Sequence, residues 1–140
     1  MLIKLDIEKA YDTISWNEIL TILKKMNFYN NWISCISTCL KSSSFSIIIN
    51  GVASPWFSSS RGVHQGDPIS FHLFIVVSQI LTTLLNSELR RGIIPGFCSN
   101  LKHNFNHLMY ADDLILIMHA TRSAAITIVR CLNFYSYIFG

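Results

Sequence analysis

Residues 107–118 read His107, Leu108, Met109, Tyr110, Ala111, Asp112, Asp113, Leu114, Ile115, Leu116, Ile117 and Met118. Two apolar runs flank a short polar insert, Ala111 to Asp113. Apolar, β-favouring runs broken by turn residues predict a hairpin, here with carboxylates at its tip. The two aspartates interrupt what would otherwise be a continuous apolar stretch. Burying them without partners would cost on the order of several kcal/mol each. A divalent cation shared between them would offset that cost. Adjacent aspartates also occur in ordinary polar turns, so the rest of the chain decides between the two.

Working outward, the segment LIKL at 2–5 reads as a short strand that runs into Asp6. If this strand neighbours the hairpin in one sheet, Asp6 joins Asp112 and Asp113. Magnesium takes carboxylate oxygens together with substrate phosphates. Two such ions about 3.5–4 Å apart activate an attacking oxygen and stabilise the leaving one. That chemistry is nucleotidyl transfer, and it needs carboxylates from at least two chain segments.

Between these segments the pattern alternates. Ser15 followed by Glu18 has the spacing of a capping box. Ile19, Leu20, Ile22, Leu23 and Met26 then form an apolar stripe at helical spacing. Trp32, Ile33, Ile36 and Leu40 predict a second helix after the Asn30, Asn31 break. Residues 45–49 and 52–57 flank Asn50-Gly51, the strongest short hairpin signal, with Pro55 marking an edge strand. GVHQGDP at 62–68 is a loop. Residues 69–89 form a long apolar helix closed by Arg90, Arg91 and Gly92. Residues 93–98 read as a connector, and a last helix begins near Thr121 or Ser123. Strands mixed with helices in this order predict an α+β fold, an antiparallel sheet with helices packed on one face.

The chain has 140 residues, 51% hydrophobic and 14% charged, a composition that excludes disorder and fits one domain over residues 1–140. The net charge of +3 is too small to argue nucleic-acid binding by itself. Of the four cysteines, Cys35 and Cys39 share a helical face and Cys98 and Cys131 stand alone. No CxxC pair occurs, so small buried hydrophobes are expected rather than a metal site. The apolar start is closed by Asp6, Glu8 and Lys9, which predicts no signal peptide.

Three motifs together carry a family resemblance. LMYADDLILIM at 108–118 resembles the YxDD box of reverse transcriptases. KLDIEKAYDTISW at 4–16 resembles the first palm motif of that family, and RGVHQGDPIS at 61–70 resembles the motif between them. Their order and spacing match the family, and KAYD with SW and QGDP resembles the non-LTR, LINE-type branch, in a plant-like form.

The resemblance implies a polymerase palm and RNA-directed DNA polymerase activity. The partners would be an RNA template, a DNA primer and deoxynucleoside triphosphates, with two Mg²⁺ ions as cofactor and Mn²⁺ as a substitute. It makes Asp6 and Asp112 the principal metal ligands and Asp113 the third carboxylate. Tyr11 matches the aromatic gate that excludes a 2′-OH, and Gln65 and Gly66 match the pair lining the nucleotide pocket. Arg61 and His64 are placed to meet phosphate. Asp67 and Pro68 are expected to shape the loop and open the long helix. Glu8, Lys9 and Asp12 are equally well explained as a solvated turn.

Two positions depart from the pattern. His64 stands where the family usually has Arg, and Phe71 where it usually has Pro. The stretch also reads as a palm with fingers and thumb largely missing, parts of a longer polyprotein. Little polymerase activity is therefore expected of the chain alone. Its localisation would be nuclear or cytoplasmic by family analogy.

Three further readings stay open on the sequence. One is a non-catalytic retrotransposon remnant, and another is an RNA-binding module. The third is a membrane span, since no charged residue lies between Asp67 and Glu88. His72, Ser78, Gln79, Thr82 and Thr83 favour a buried core helix there and no membrane. His103 and His107 fit an exposed strand or loop better than a metal pair.

Overall fold

A computed structural model describes residues 1–9, 11–98 and 104–139. In chain order the elements are β1 (Leu2–Asp6), α1 (Trp16–Lys25), α2 (Asn30–Lys41), β2 (Ser44–Phe45), β3 (Ile48–Ile49), β4 (Val52–Ala53) and β5 (Phe57–Ser58). Then follow α3 (Pro68–Arg90), β6 (Phe97–Cys98), β7 (Asn104–Phe105), β8 (His107–Tyr110), β9 (Asp113–Ile117) and α4 (Arg122–Phe139).

The sheet that matters for function has the order β1-β9-β8, antiparallel throughout. Leu5 pairs with Leu114 and Ile3 with Leu116 on one side of β9, while Met109 pairs with Leu114 on the other. Residues paired across a ladder share a face. One face therefore carries Ile3, Leu5, Met109, Leu114 and Leu116, and it turns into the core. The opposite face carries Leu2, Lys4, Asp6, Leu108 and Tyr110, all exposed. Helices cover the inner face only, as the expected α+β arrangement requires.

Helical periodicity selects what each helix buries. From α1 it is Ile19, Ile22 and Leu23, and from α2 Ile33, Ile36 and Leu40. The stripe of α3, Leu73, Phe74, Val77, Leu81 and Leu85, recurs every three to four residues. By length and composition α3 is apolar enough to cross a membrane. Here its stripe lies in the centre of the core, between α1 and α4. Each such side chain contributes about 1.5–3 kcal/mol when fully buried.

Several local expectations need correction. Ser15 is the N-cap of α1, but its side chain makes no capping bond. Cys35 and Cys39 are exposed, because the buried stripe of α2 runs through Ile33, Ile36 and Leu40 instead. Residues 44–58 form the expected hairpin around Asn50-Gly51, but as two nested ladders, β2-β5 and β3-β4, rather than one continuous ladder. Between them Ser46 Oγ donates to the Ser54 carbonyl at 2.7 Å, and the Ile47 N–H donates to Ser54 Oγ at 3.0 Å. These side-chain bonds replace ladder bonds next to Pro55, which has no N–H to give. The connector at 93–98 ends in a strand, β6, paired with β7. Gly96 permits this, since a Cβ there would collide with the Phe105 backbone.

Candidate active site

β1 ends at Asp6, whose partner across the ladder is Asp113, the first residue of β9. Their side chains leave the same face of the sheet. One step further, the Ile7 N–H donates to the Asp112 carbonyl at 3.0 Å and ties the hairpin turn to the chain beyond β1. The turn itself is Ala111-Asp112. Ala111 has φ 50°, and Asp112 is not in the positive-φ region. That sign pattern is the type II′ one, whose first position suits glycine. An alanine there costs roughly 1–2 kcal/mol. Ladders on both sides of β9 hold the turn in place and supply that energy.

The carboxylates are not buried in apolar surroundings. Asp6 and Asp112 are exposed and Asp113 is half-buried. The cause is strand alternation. Leu114 and Leu116 take the inward positions of β9, so Asp113 points outward.

Lys4 lies two residues before Asp6 and hence on its face. Its ammonium is 2.8 Å from Asp113 Oδ1. The hydrogen bond to Asp113 raises the Lys4 pKa most, the Asp113 charge adds to it, and Asp6 and Asp112 contribute further. All three carboxylates thus act on one cation. Their oxygens are the hard donors that divalent ions such as Mg²⁺ take. Among the described residues, however, no three acidic, histidine or cysteine side chains are already gathered as a metal cluster. The donor set and the backbone register fit a cation, while the side chains are dispersed.

A second segment is locked beside this corner. The Val63 N–H donates to the Tyr11 carbonyl at 2.7 Å and the Gly62 N–H to Ile14 at 2.8 Å. The Trp16 indole N–H returns to the Gly62 carbonyl at 2.6 Å. Gly62 has φ 80°, and a Cβ there would strike the Asp12 backbone. This clamp fixes where the following loop lies. Gly66, at φ 96°, faces open space. Asp67 Oδ1 accepts the Ile69 N–H at 3.1 Å and Pro68 occupies the first helical turn, so this pair opens α3 as expected.

A cleft of about 450 Å³ results, lined by Tyr11, Gln65, Gly66, Asp67, Ser70, Phe71 and Asp112. It brings together Tyr11, Gln65 and Gly66 with one carboxylate of the hairpin. Tyr11 is half-buried and stacks on Phe74, centroids 4.9 Å apart, so its ring is held at the cleft wall. Arg61 and His64 lie next to this cleft rather than in its lining. They line an adjoining cavity of about 480 Å³ with Asp12, Trp16 and Phe45, which shares Asp67 and Ser70 with the cleft, and His64 stacks on Phe45. Only Gln65 among the expected site residues lines both.

Glu8 and Asp12 are exposed, and the Asp12 N–H donates to the Lys9 carbonyl, a solvated turn. His107 sits half-buried on β8 with Nδ1 2.7 Å from Asn106 Oδ1, and burial lowers its pKa. His103 lies outside the described residues. Sequence reasoning passed over Lys4 and Gly62. The first was signalled by its strand parity with Asp6, the second only by its place before the QGDP loop.

Comparison with known proteins accords with this geometry. The model of the family described as reverse transcriptase (RNA-dependent DNA polymerase) matches residues 1–136. The uncharacterized mitochondrial protein AtMg01250 of Arabidopsis thaliana is 42% identical over 67 residues, 47% of this chain and 55% of that protein. A Pol polyprotein from the type-1 retrotransposable element R2 of Popillia japonica is 31% identical over 115 residues. That match covers 82% of this chain and 18% of the polyprotein. The R2DM polyprotein of Drosophila melanogaster is 27% identical, covering 96% of this chain and 12% of its own length. The chain thus spans just over half of the first relative and less than a fifth of the R2 polyproteins. Apo telomerase from Candida tropicalis, truncated from its C-terminal domain, shares the fold with a TM-score of 0.69 at 16% identity. The match covers 99% of this chain and 28% of the telomerase chain. With three motifs in order, the carboxylates abreast in the sheet and the family match along nearly its whole length, the chain belongs to the reverse transcriptase family, with non-LTR retrotransposon Pol polyproteins among its relatives.

Proposed function

We propose that this chain is the palm core of an RNA-directed DNA polymerase, which adds deoxynucleotides to a DNA primer on an RNA template. The observation that carries the reading is the shared corner. Asp6 and Asp113 stand abreast on neighbouring strands, and Asp112 opens onto the cleft of Tyr11, Gln65 and Gly66. Asp6, Asp112 and Asp113 would hold two Mg²⁺ ions, with Mn²⁺ as a substitute. Such ions, when bound, neutralise phosphate charge and activate the attacking hydroxyl.

The chain's own residues do the positioning. The Ile7 to Asp112 bond and the β8-β9 ladder fix the turn, and fixed placement supplies much of the rate in such reactions. Tyr11, held by Phe74, forms a wall against which a sugar 2′-OH would collide. Gly66 leaves its backbone open to close approach by a nucleotide. The rest of a longer polyprotein would grip the template and primer.

Binding of dCTP and CTP, which differ only in the 2′-OH, tests this reading. With Mg²⁺ the folded chain is expected to bind dCTP at least about tenfold more tightly than CTP, a gap of roughly 1.4 kcal/mol. Chelator should abolish both. Tyr11→Ala should bring the two within about twofold, and Asp112→Asn should weaken both. Equal binding of the two nucleotides by the unmodified chain, indifferent to chelator, would refute the assignment.

A further inference from the structure

We propose that Lys4 is a positioning residue, the resident counter-ion of Asp113, which holds that carboxylate apart from Asp6 and Asp112 until a divalent cation displaces the ammonium. The inference rests on the function proposed above and names how the three carboxylates are kept in order.

Geometry is its basis. In β1, positions 4 and 6 share a face, and Asp6 is directly opposite Asp113. Lys4 is therefore diagonal to Asp113, within reach of a long side chain. Its ammonium closes to 2.8 Å on Oδ1 while 62% of the side chain stays exposed, so the contact is made although open solvent is available. Only one other ion pair occurs among the described residues, between Glu88 and Arg91 on one helix.

The pair also explains the dispersed donors. With Asp113 turned to Lys4, the three carboxylates do not gather into a cluster among the described residues. An ammonium at this corner spares the sheet the repulsion of like charges set side by side. Exposed ion pairs are weak, which suits a contact that must yield. A divalent cation carries twice the charge and takes several carboxylate oxygens at once, so it replaces the single ammonium. No covalent bond of the chain is made or broken: the Lys4–Asp113 ion pair opens, Asp113 would be free to join Asp6 and Asp112 on the cation, and the lysine returns to solvent.

The test is Mn²⁺ binding to the full chain, followed by electron paramagnetic resonance. Lys4→Met keeps the side-chain length and removes the charge. It should bind Mn²⁺ roughly fivefold more tightly, the size expected for removing one unit charge near the ion in a wet site. Lys4→Arg should stay close to the unmodified chain. In an Asp113→Asn background, Lys4→Met should gain much less. Unchanged affinity in folded Lys4→Met would overturn the proposal, and so would an equal gain in the Asp113→Asn background, which would make Lys4 a general repulsive charge. Absence of Mn²⁺ binding in all variants would instead remove the cation site itself, and the counter-ion role with it.

Discussion

Among the described residues two hairpins have two-residue turns, and they are held in opposite ways. Between β3 and β4, Asn50 and Gly51 have φ 52° and 82°. Both values are positive, as a type I′ turn requires, and Asn-Gly is the pair that best tolerates them. The strands it joins are two residues long and expose Ile48, Ile49 and Val52. Beyond its turn that hairpin has only the short outer ladder β2-β5 and the bonds of Ser46 and Ser54. Between β8 and β9, Ala111 takes φ 50° with no glycine in the turn. Here the flanking strands are longer, β1 pairs alongside, and Leu114 and Leu116 are almost fully buried. Packing and pairing override the turn preference. The hairpin that breaks the local rule is the one that carries the carboxylates, as expected where backbone strain is kept for a site.

Removing the packing should separate the two most sharply. Leu114→Ala deletes a side chain with 0% exposure and should cost about 3–4 kcal/mol of unfolding free energy in urea melts. The matching truncation in the exposed hairpin, Val52→Ala, should change stability by less than about 0.5 kcal/mol. Exchanging the turn chemistry gives smaller effects of opposite sign. Gly51→Ala forces alanine into the left-handed region and should lose about 1 kcal/mol. Ala111→Gly relieves that same strain, but glycine's extra freedom in the unfolded chain takes back part of the gain. A net stabilisation of about 0.5 kcal/mol is expected, read as a small rise in urea midpoint. If Ala111→Gly destabilised the chain as much as Gly51→Ala, the contrast between the hairpins would be lost.

The elements most legible in the sequence were those with strong local signals. The stripes at 19–26 and 69–89 and the Asn50-Gly51 turn all formed where periodicity and turn chemistry pointed. What the sequence hid was set by tertiary contacts. The β6-β7 ladder depends on Gly96 passing close to Phe105, which no local pattern encodes. Cys35 and Cys39 looked apolar enough to bury, but Ile33, Ile36 and Leu40 took the inward stripe. The carboxylate triad was legible as motifs, and the sheet register sets Asp6 opposite Asp113. Its environment was not legible. The apolar runs on both sides suggested buried aspartates, whereas alternation along β9 sends Asp113 out and Leu114 in. Arg61 and His64 line a cavity with Gln65 that adjoins the cleft, where the clamp at Gly62 and the stacking of His64 on Phe45 hold them, and no local pattern encodes that placement.

The most direct test of the central claim is a residue-by-residue map of where Mn²⁺ binds, read from paramagnetic broadening of backbone amide signals in the folded chain. The account predicts that sub-stoichiometric Mn²⁺ selectively broadens Asp6, Ile7 and residues 111–114, where the end of β1 meets the β8-β9 turn. The double variant Asp112→Asn with Asp113→Asn should lose that broadening. Broadening centred elsewhere, for example at Glu88, or none in well-folded protein, would contradict the claim that these three aspartates form one cation site.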